Sequence, residues 1–134
     1  MEGRDNVTEV MNLLLIRHAT NDWVGERLAG WTPGVHLNDE GQAQAAALAR
    51  RLADVPLAAI YSSPLERTLE TAQPLAQAQG LSVRVREGLG ETQYGDWTGH
   101  ALKELKDEKL WPVVQVYPGG ARFPGGESMR EVQA

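Results

Sequence analysis

LLLIRHAT, residues 13–20, decides how the rest of this 134-residue chain is read. Asn12 to Ile16 is a short continuous apolar run, the pattern of a strand buried on both faces in a parallel sheet. Arg17 and His18 follow where that strand gives way to a loop. Open α/β sheets bind ligands at the carboxyl ends of their strands. The planar fork of Arg17 suits phosphate oxygens, and its charge disfavours a protonated His18, leaving a neutral, nucleophilic imidazole.

Outward from that stretch, the pattern alternates. Residues 17–38 form a long loop without periodicity. Asp39 to Ala53 reads as a helix capped by Asn38, with acids in its first turn and a stripe of Ala45, Leu48, Ala49 and Leu52. Ala58 to Tyr61 reads as a second strand. Ser63-Pro64-Leu65-Glu66 has the form of a capping box with proline at the first helical position. That helix is expected to run towards Gln79, with Pro74 kinking or breaking it near Gln73 and Gly80 ending it. Leu81 to Arg86 reads as a third strand and Gly99 to Leu110 as a helix with Leu102 and Leu105 inward. Trp111 to Gly126, with three prolines, reads as a loop, and Glu127 opens a last helix. Strands alternating with helices imply an α/β fold, layered helix-sheet-helix with mainly parallel strands.

Composition excludes several classes. Apolar residues make up 42% and charged residues 23%, the balance of a globular domain. A net charge of −5 argues against nucleic-acid binding, which needs a basic face. There is no cysteine, so disulfides, thiolate zinc sites and cysteine nucleophiles are excluded together. His18, His36 and His100 show no metal-ligand spacing, and no metal or cofactor is expected. No apolar run reaches membrane-spanning length, and the polar opening MEGRDNVTEV is not a secretory signal. Residues 1–10 are expected to be an irregular leader, with Met11 a candidate natural start, and the protein is expected to be cytoplasmic.

Two further segments follow strands and carry chemistry. In YSSPLERTLETA (61–72), Arg67 lies near the start of a helix, from which it can point over the sheet edge, while helix-start amides favour an anion. In LGETQYGDWTG (89–99), Glu91 offers a carboxyl that can protonate a departing oxygen. Taken singly, each segment also fits an ordinary structural arginine, histidine or solvated glutamate. Together they supply a nucleophile, two arginines and an acid.

In that order, RHAT, SSPLERTLETA and LGETQYGDWTG resemble the histidine phosphatase superfamily, with its phosphoglycerate mutase-like branch. GERLAGWTPGVHLNDEGQAQA and PGGESMREVQA are similar to that family's intervening and following segments, so the likeness covers nearly everything from Asn12 onward. The resemblance implies that His18 attacks phosphorus and becomes phosphohistidine. It implies that Arg17 and Arg67 hold the phosphoryl oxygens. Glu91 would protonate the leaving oxygen and then help activate water, without a metal. Thr20 matches a hydroxyl residue that touches phosphate in the family. The asparagine that follows it there has no aligned counterpart; Asn21 comes early and Val24 stands near the expected place.

Two other departures stand out. Ala19 replaces the glycine of the usual RHG motif, which is tolerable where the backbone keeps a negative φ. The family's second histidine, carried by a later strand, has no counterpart, since His36 and His100 read as solvent-exposed or locally bonded residues. Residues 11–134 are therefore expected to be the N-terminal portion of such a domain, incomplete at its C-terminus. The expected activity is hydrolysis of a small phosphorylated metabolite. The alternatives are a phosphoglycerate mutase-type phosphomutase and a phosphate-binding domain with little turnover. An unfilled sheet edge would also favour association of copies, a possible homo-oligomer.

Overall fold

A computed structural model describes residues 10–134. The expected leader, residues 1–10, lies almost wholly outside the described residues. The described residues form an α/β arrangement around two parallel strands, β1 (Ile60–Ser62) and β2 (Val83–Val85). Ile60 pairs with Val83, Tyr61 with Arg84 and Ser62 with Val85.

Between the strands runs the crossover helix α2 (Glu66–Gln79), which packs on the sheet and on the earlier helix α1 (Asp39–Arg51). The core of this half is Ala49, Ile60, Leu75 and Ala76, with Leu52, Leu57, Leu81 and Val83 around it. The caps explain where the helices lie. Asn38 accepts the amide of Gly41 at the start of α1, an exchange worth about 0.5–2 kcal/mol. Gly80 closes α2 in the left-handed conformation at φ 65°, which glycine adopts without a Cβ penalty.

Four expectations need correction. The run Asn12–Ile16 forms no strand: Leu13 is 74% exposed and Leu15 87%. A strand exists only by pairing, and among the described residues this run has no ladder partner. The Ser63-Pro64 box is not used either; α2 starts two residues later with Leu65 as N-cap. Ser63 instead shares its hydroxyl with Thr68 at 2.6 Å, and Glu66 is drawn to the Gly34 amide. Pro74 does not break α2, because Leu75 and Ala76, which follow it, are among the most buried residues. Lastly, the helix expected over 99–110 shrinks to α3 (Leu102–Leu105), with Leu105 buried and Leu102 half-buried as expected, and a further helix, α4 (Trp111–Val116), occupies the expected loop. Pro112 sits in the first turn of α4, where its missing amide costs nothing.

A second core lies under the C-terminal half. Trp97, Leu105 and Phe123 are buried, with Leu28, Tyr94, Trp111 and Met129 against them. The rings of Trp97 and Phe123 meet edge-on at 5.4 Å. The last helix, α5 (Met129–Gln133), starts with a capping box between Ser128 and Glu131. On the open face of the sheet, Tyr61 is half-exposed beneath the guanidinium groups of Arg84 and Arg86, so those two arginines share one face and lie at the surface.

Candidate active site

The segment after the apolar run is held from the α2 side. The amide of Ala19 donates to the Thr71 hydroxyl at 2.9 Å, and that hydroxyl donates to the Arg67 carbonyl at 2.7 Å. Thr71 is buried and lies one helical turn beyond Arg67. The Ala19 side chain packs with Leu37 and Ala45. No non-glycine residue among the described ones has a positive φ, so alanine stands here without strain. The next peptide lies close to α1. A Cβ on Gly41 would run into the Thr20 carbonyl oxygen, so only glycine permits this approach.

His18 is half-buried, and its Nδ1 lies 2.7 Å from the Ala19 carbonyl oxygen. A carbonyl only accepts, so this contact is a hydrogen bond in the Nδ1–H tautomer. Nε2 then carries the lone pair, as a nucleophile requires.

Arg67 is the most deeply placed charge, at 2% exposure. Its Nη2 donates to the Gly30 carbonyl at 3.0 Å and lies 3.9 Å from Glu91 Oε2. Its Nη1 is buried and has no partner. A buried guanidinium with an idle donor is costly unless something else satisfies it. The first turns of α2 also organise the long loop. Glu66 accepts the Gly34 amide and Glu70 accepts the Leu37 amide, both at 2.8 Å. Glu70 further holds His36 Nδ1 at 2.5 Å, and that bond with its charge raises the His36 pKa. The Gly34 amide lowers the Glu66 pKa.

Glu91 sits on a turn that is fixed on several sides. Its Oε1 accepts the Tyr94 hydroxyl at 3.0 Å and the Thr92 amide at 3.2 Å. Burial first, then the Glu91 charge, push the Tyr94 phenol above its ordinary value, so Tyr94 stays a donor. The indole Nε1 of Trp31 donates to the Glu91 carbonyl, and the Trp31 ring covers Gly90 so closely that a Cβ there would collide with it. Behind the turn, Gln93 and Glu127 exchange bonds at 2.8 Å, and the Asp96 amide reaches the Pro124 carbonyl at 2.7 Å.

The structure thus brings Arg67 and Glu91 together and ties His18 to Arg67 through Ala19 and Thr71. It does not bring in Arg17, whose side chain is exposed and makes no hydrogen bond or ion pair among the described residues. Thr20 is half-buried, its amide donating to Gln44. The carboxamide oxygen of Asn21 is occupied by the Trp23 amide, capping a local turn. His36 and His100 are exposed beside Glu70 and Glu104. Two surface clefts are lined by none of His18, Arg67 and Glu91. One of about 410 Å³ is lined by Arg27, Lys103, Lys106 and Trp111; another of about 480 Å³ lies between α1 and α2. Among the described residues no cluster of three or more histidine, cysteine or carboxylate side chains is placed to hold a metal. No described helix is long and apolar enough to cross a membrane.

The profile of the histidine phosphatase superfamily (branch 1) matches residues 13–134. The chain belongs to that superfamily. It is 35% identical over 130 residues to phosphoserine phosphatase 1 of Hydrogenobacter thermophilus, covering 92% of this chain and 59% of that protein. It is 30% identical over 125 residues to a probable phosphoglycerate mutase of Salmonella choleraesuis, covering 92% and 58%. Among solved structures, it resembles a mycobacterial glucosyl-3-phosphoglycerate phosphatase in complex with VO3. There the TM-score is 0.77 and the identity 33%, over 86% of this chain and 58% of that one. The alpha-ribazole phosphatase of Shigella flexneri gives a TM-score of 0.76 at 27% identity, over 87% and 59%. The chain therefore spans somewhat under three fifths of the length of these relatives.

Within this superfamily member, two site neighbours are not visible in the sequence: Thr71 and Tyr94. The one indirect signal for Thr71 is that it stands four residues after Arg67 and shares its helix face. Tyr94 stands three residues after Glu91 in an irregular turn, where spacing says nothing about contact.

Proposed function

We propose that this chain carries the phosphoryl-transfer half-site of a phosphomonoester hydrolase that works through phosphohistidine on a small phosphorylated metabolite. The observation that carries the reading is the buried Arg67 guanidinium, with its Nη1 unpartnered beside the Glu91 carboxyl. A phosphoryl oxygen is the complement that such a donor lacks.

In the first step, His18 Nε2 forms a bond to phosphorus while the ester P–O bond breaks. The departing oxygen takes a proton from the Glu91 carboxyl. In the second, a water molecule gives its proton to the Glu91 carboxylate and attacks phosphorus. The P–N bond breaks and inorganic phosphate leaves. Arg67 faces the charge on the equatorial oxygens throughout, with Arg17 and Thr20 as further phosphate contacts. The relatives named for phosphoserine, glucosyl-3-phosphoglycerate and alpha-ribazole phosphatase activities support a small phosphorylated metabolite as substrate. A phosphomutase, as one relative is named, would return the phosphoryl group to a second hydroxyl.

A second reading, phosphate binding with little turnover, is favoured by the exposed run Leu13–Ile16, which leaves the segment before His18 unpacked among the described residues. An apolar run left open favours self-association of this chain. Turnover of an aryl phosphate by the wild type and by His18→Ala separates the two readings. The hydrolase reading expects weak turnover that His18→Ala abolishes; equal rates in both would overturn it. Comparing free phosphate released with phosphoryl transferred to an added alcohol distinguishes hydrolase from mutase.

A further inference from the structure

We infer that Thr71 is a positioning residue for the His18 imidazole, acting through the Ala19 backbone; the consequence for catalysis rests on the reading of His18 given above. Three bonds form one continuous path. Thr71 Oγ1 donates to the carbonyl of Arg67, on its own helix, at 2.7 Å. The same oxygen accepts the Ala19 amide at 2.9 Å, across 52 residues of sequence. Ala19 then presents its carbonyl to His18 Nδ1 at 2.7 Å.

A hydroxyl inside a helix usually bonds its own i−4 carbonyl and does nothing further. Here its proton is committed to Arg67, so its lone pairs are available to a distant amide. Both partners are buried, so neither bond is exchanged freely with water. The apolar run before His18 offers no such restraint, because its side chains are exposed and it pairs with no strand among the described residues. The restraint therefore comes from α2, the helix that also carries Arg67. One side chain sets nucleophile and phosphate ligand on the same frame. Thr71 anchors the peptide on the N-terminal side of Ala19, while Gln44 anchors the following one through the Thr20 amide; with Ala19 so fixed, its carbonyl meets Nδ1 and Nε2 stays unprotonated.

Thr71→Val keeps the shape and removes the hydroxyl; Thr71→Ser keeps the hydroxyl. Nitrogen-15 spectra of the 134-residue chain above neutral pH read the His18 tautomer without any need for turnover. The expected result is an Nδ1–H tautomer in wild type and Thr71→Ser, and a mixture with Nε2–H in Thr71→Val. Phosphorylation of His18 by p-nitrophenyl phosphate in a single turnover should slow on the order of 10-fold in Thr71→Val, because misplacement of a reacting group is costly. Thr71→Ser should restore it. If helicity shows that Thr71→Val does not fold, Thr71→Ala makes the same comparison. An unchanged His18 tautomer in the folded variant, or Nε2–H already dominant in wild type, would overturn the inference. A tautomer change without any phosphohistidine in wild type would leave the positioning intact and sink the hydrolase reading instead.

Discussion

Helix α2 and the run Asn12–Ile16 approach the same histidine from two sides, and they are physical opposites. The helix has a glycine terminator and buried Thr71, Leu75 and Ala76, and it reaches the long loop through Glu66, Arg67 and Glu70. The run is more apolar, yet Leu13 and Leu15 face solvent and no described strand pairs with it. Hydrophobic character alone does not place a strand; a neighbour with matching hydrogen bonds does. What holds His18 is accordingly not its own segment but the polar contacts of a helix some fifty residues away.

That contrast can be broken most forcefully in stability. Leu75→Ala, in the α2 core, should cost about 2–5 kcal/mol, whereas Leu15→Lys should move stability by no more than about 0.5 kcal/mol. Urea titration of each variant checks the pair, and an equal loss in both would mean that the run is buried in solution. If copies associate through the run, Leu15→Lys should also reduce that association, read by light scattering.

Arg67→Met sharpens the comparison from inside α2. Removing the donor should weaken inorganic phosphate binding, read by calorimetry, by about 10²–10³-fold, the usual size for one preorganised donor. Thermal stability should fall only modestly, by about 1–3 kcal/mol for the buried Gly30 carbonyl that loses its donor, offset in part by the loss of a buried charge with an idle donor. A large fall in stability would show that Arg67 serves the fold instead.

The smallest effect concerns the loop edge of α2. Glu70 raises the His36 pKa above its ordinary 6.5. The folded value exceeds the unfolded one, so protonated His36 adds stability that is fully present below about 6.5 and is lost as pH rises through the raised value. His36→Gln should therefore lower the melting temperature slightly at pH below 6.5 and leave it unchanged well above. A difference independent of pH would contradict the ion pair.

Local chemistry was legible wherever it was also decisive. Asn38, Asp39 and Glu40 announced α1, and Gly80 announced the end of α2, because caps act within one turn. Arg67 and Glu91 were legible as charged residues just beyond strands. The illegible parts were those decided at a distance. Ser63 and Glu66 form a capping box on paper, but Thr68 and Gly34 compete for them and win. The loss of the strand at 12–16 depends on what lies beside it. Pro112 counts among the three prolines of an expected loop, yet its place in the first turn of α4 makes it harmless. Within the site, Thr71 looks like any helical threonine until the Ala19 amide arrives from the other end of the domain.

The most direct test of the central claim is to quench the chain in alkali during reaction with an aryl phosphate and locate the phosphoryl group by peptide fragmentation. The account predicts an acid-labile, alkali-stable phosphoryl group on His18, absent from His18→Ala. Release of phosphate with His18 unlabelled, or with the label on a hydroxyl side chain, would contradict it.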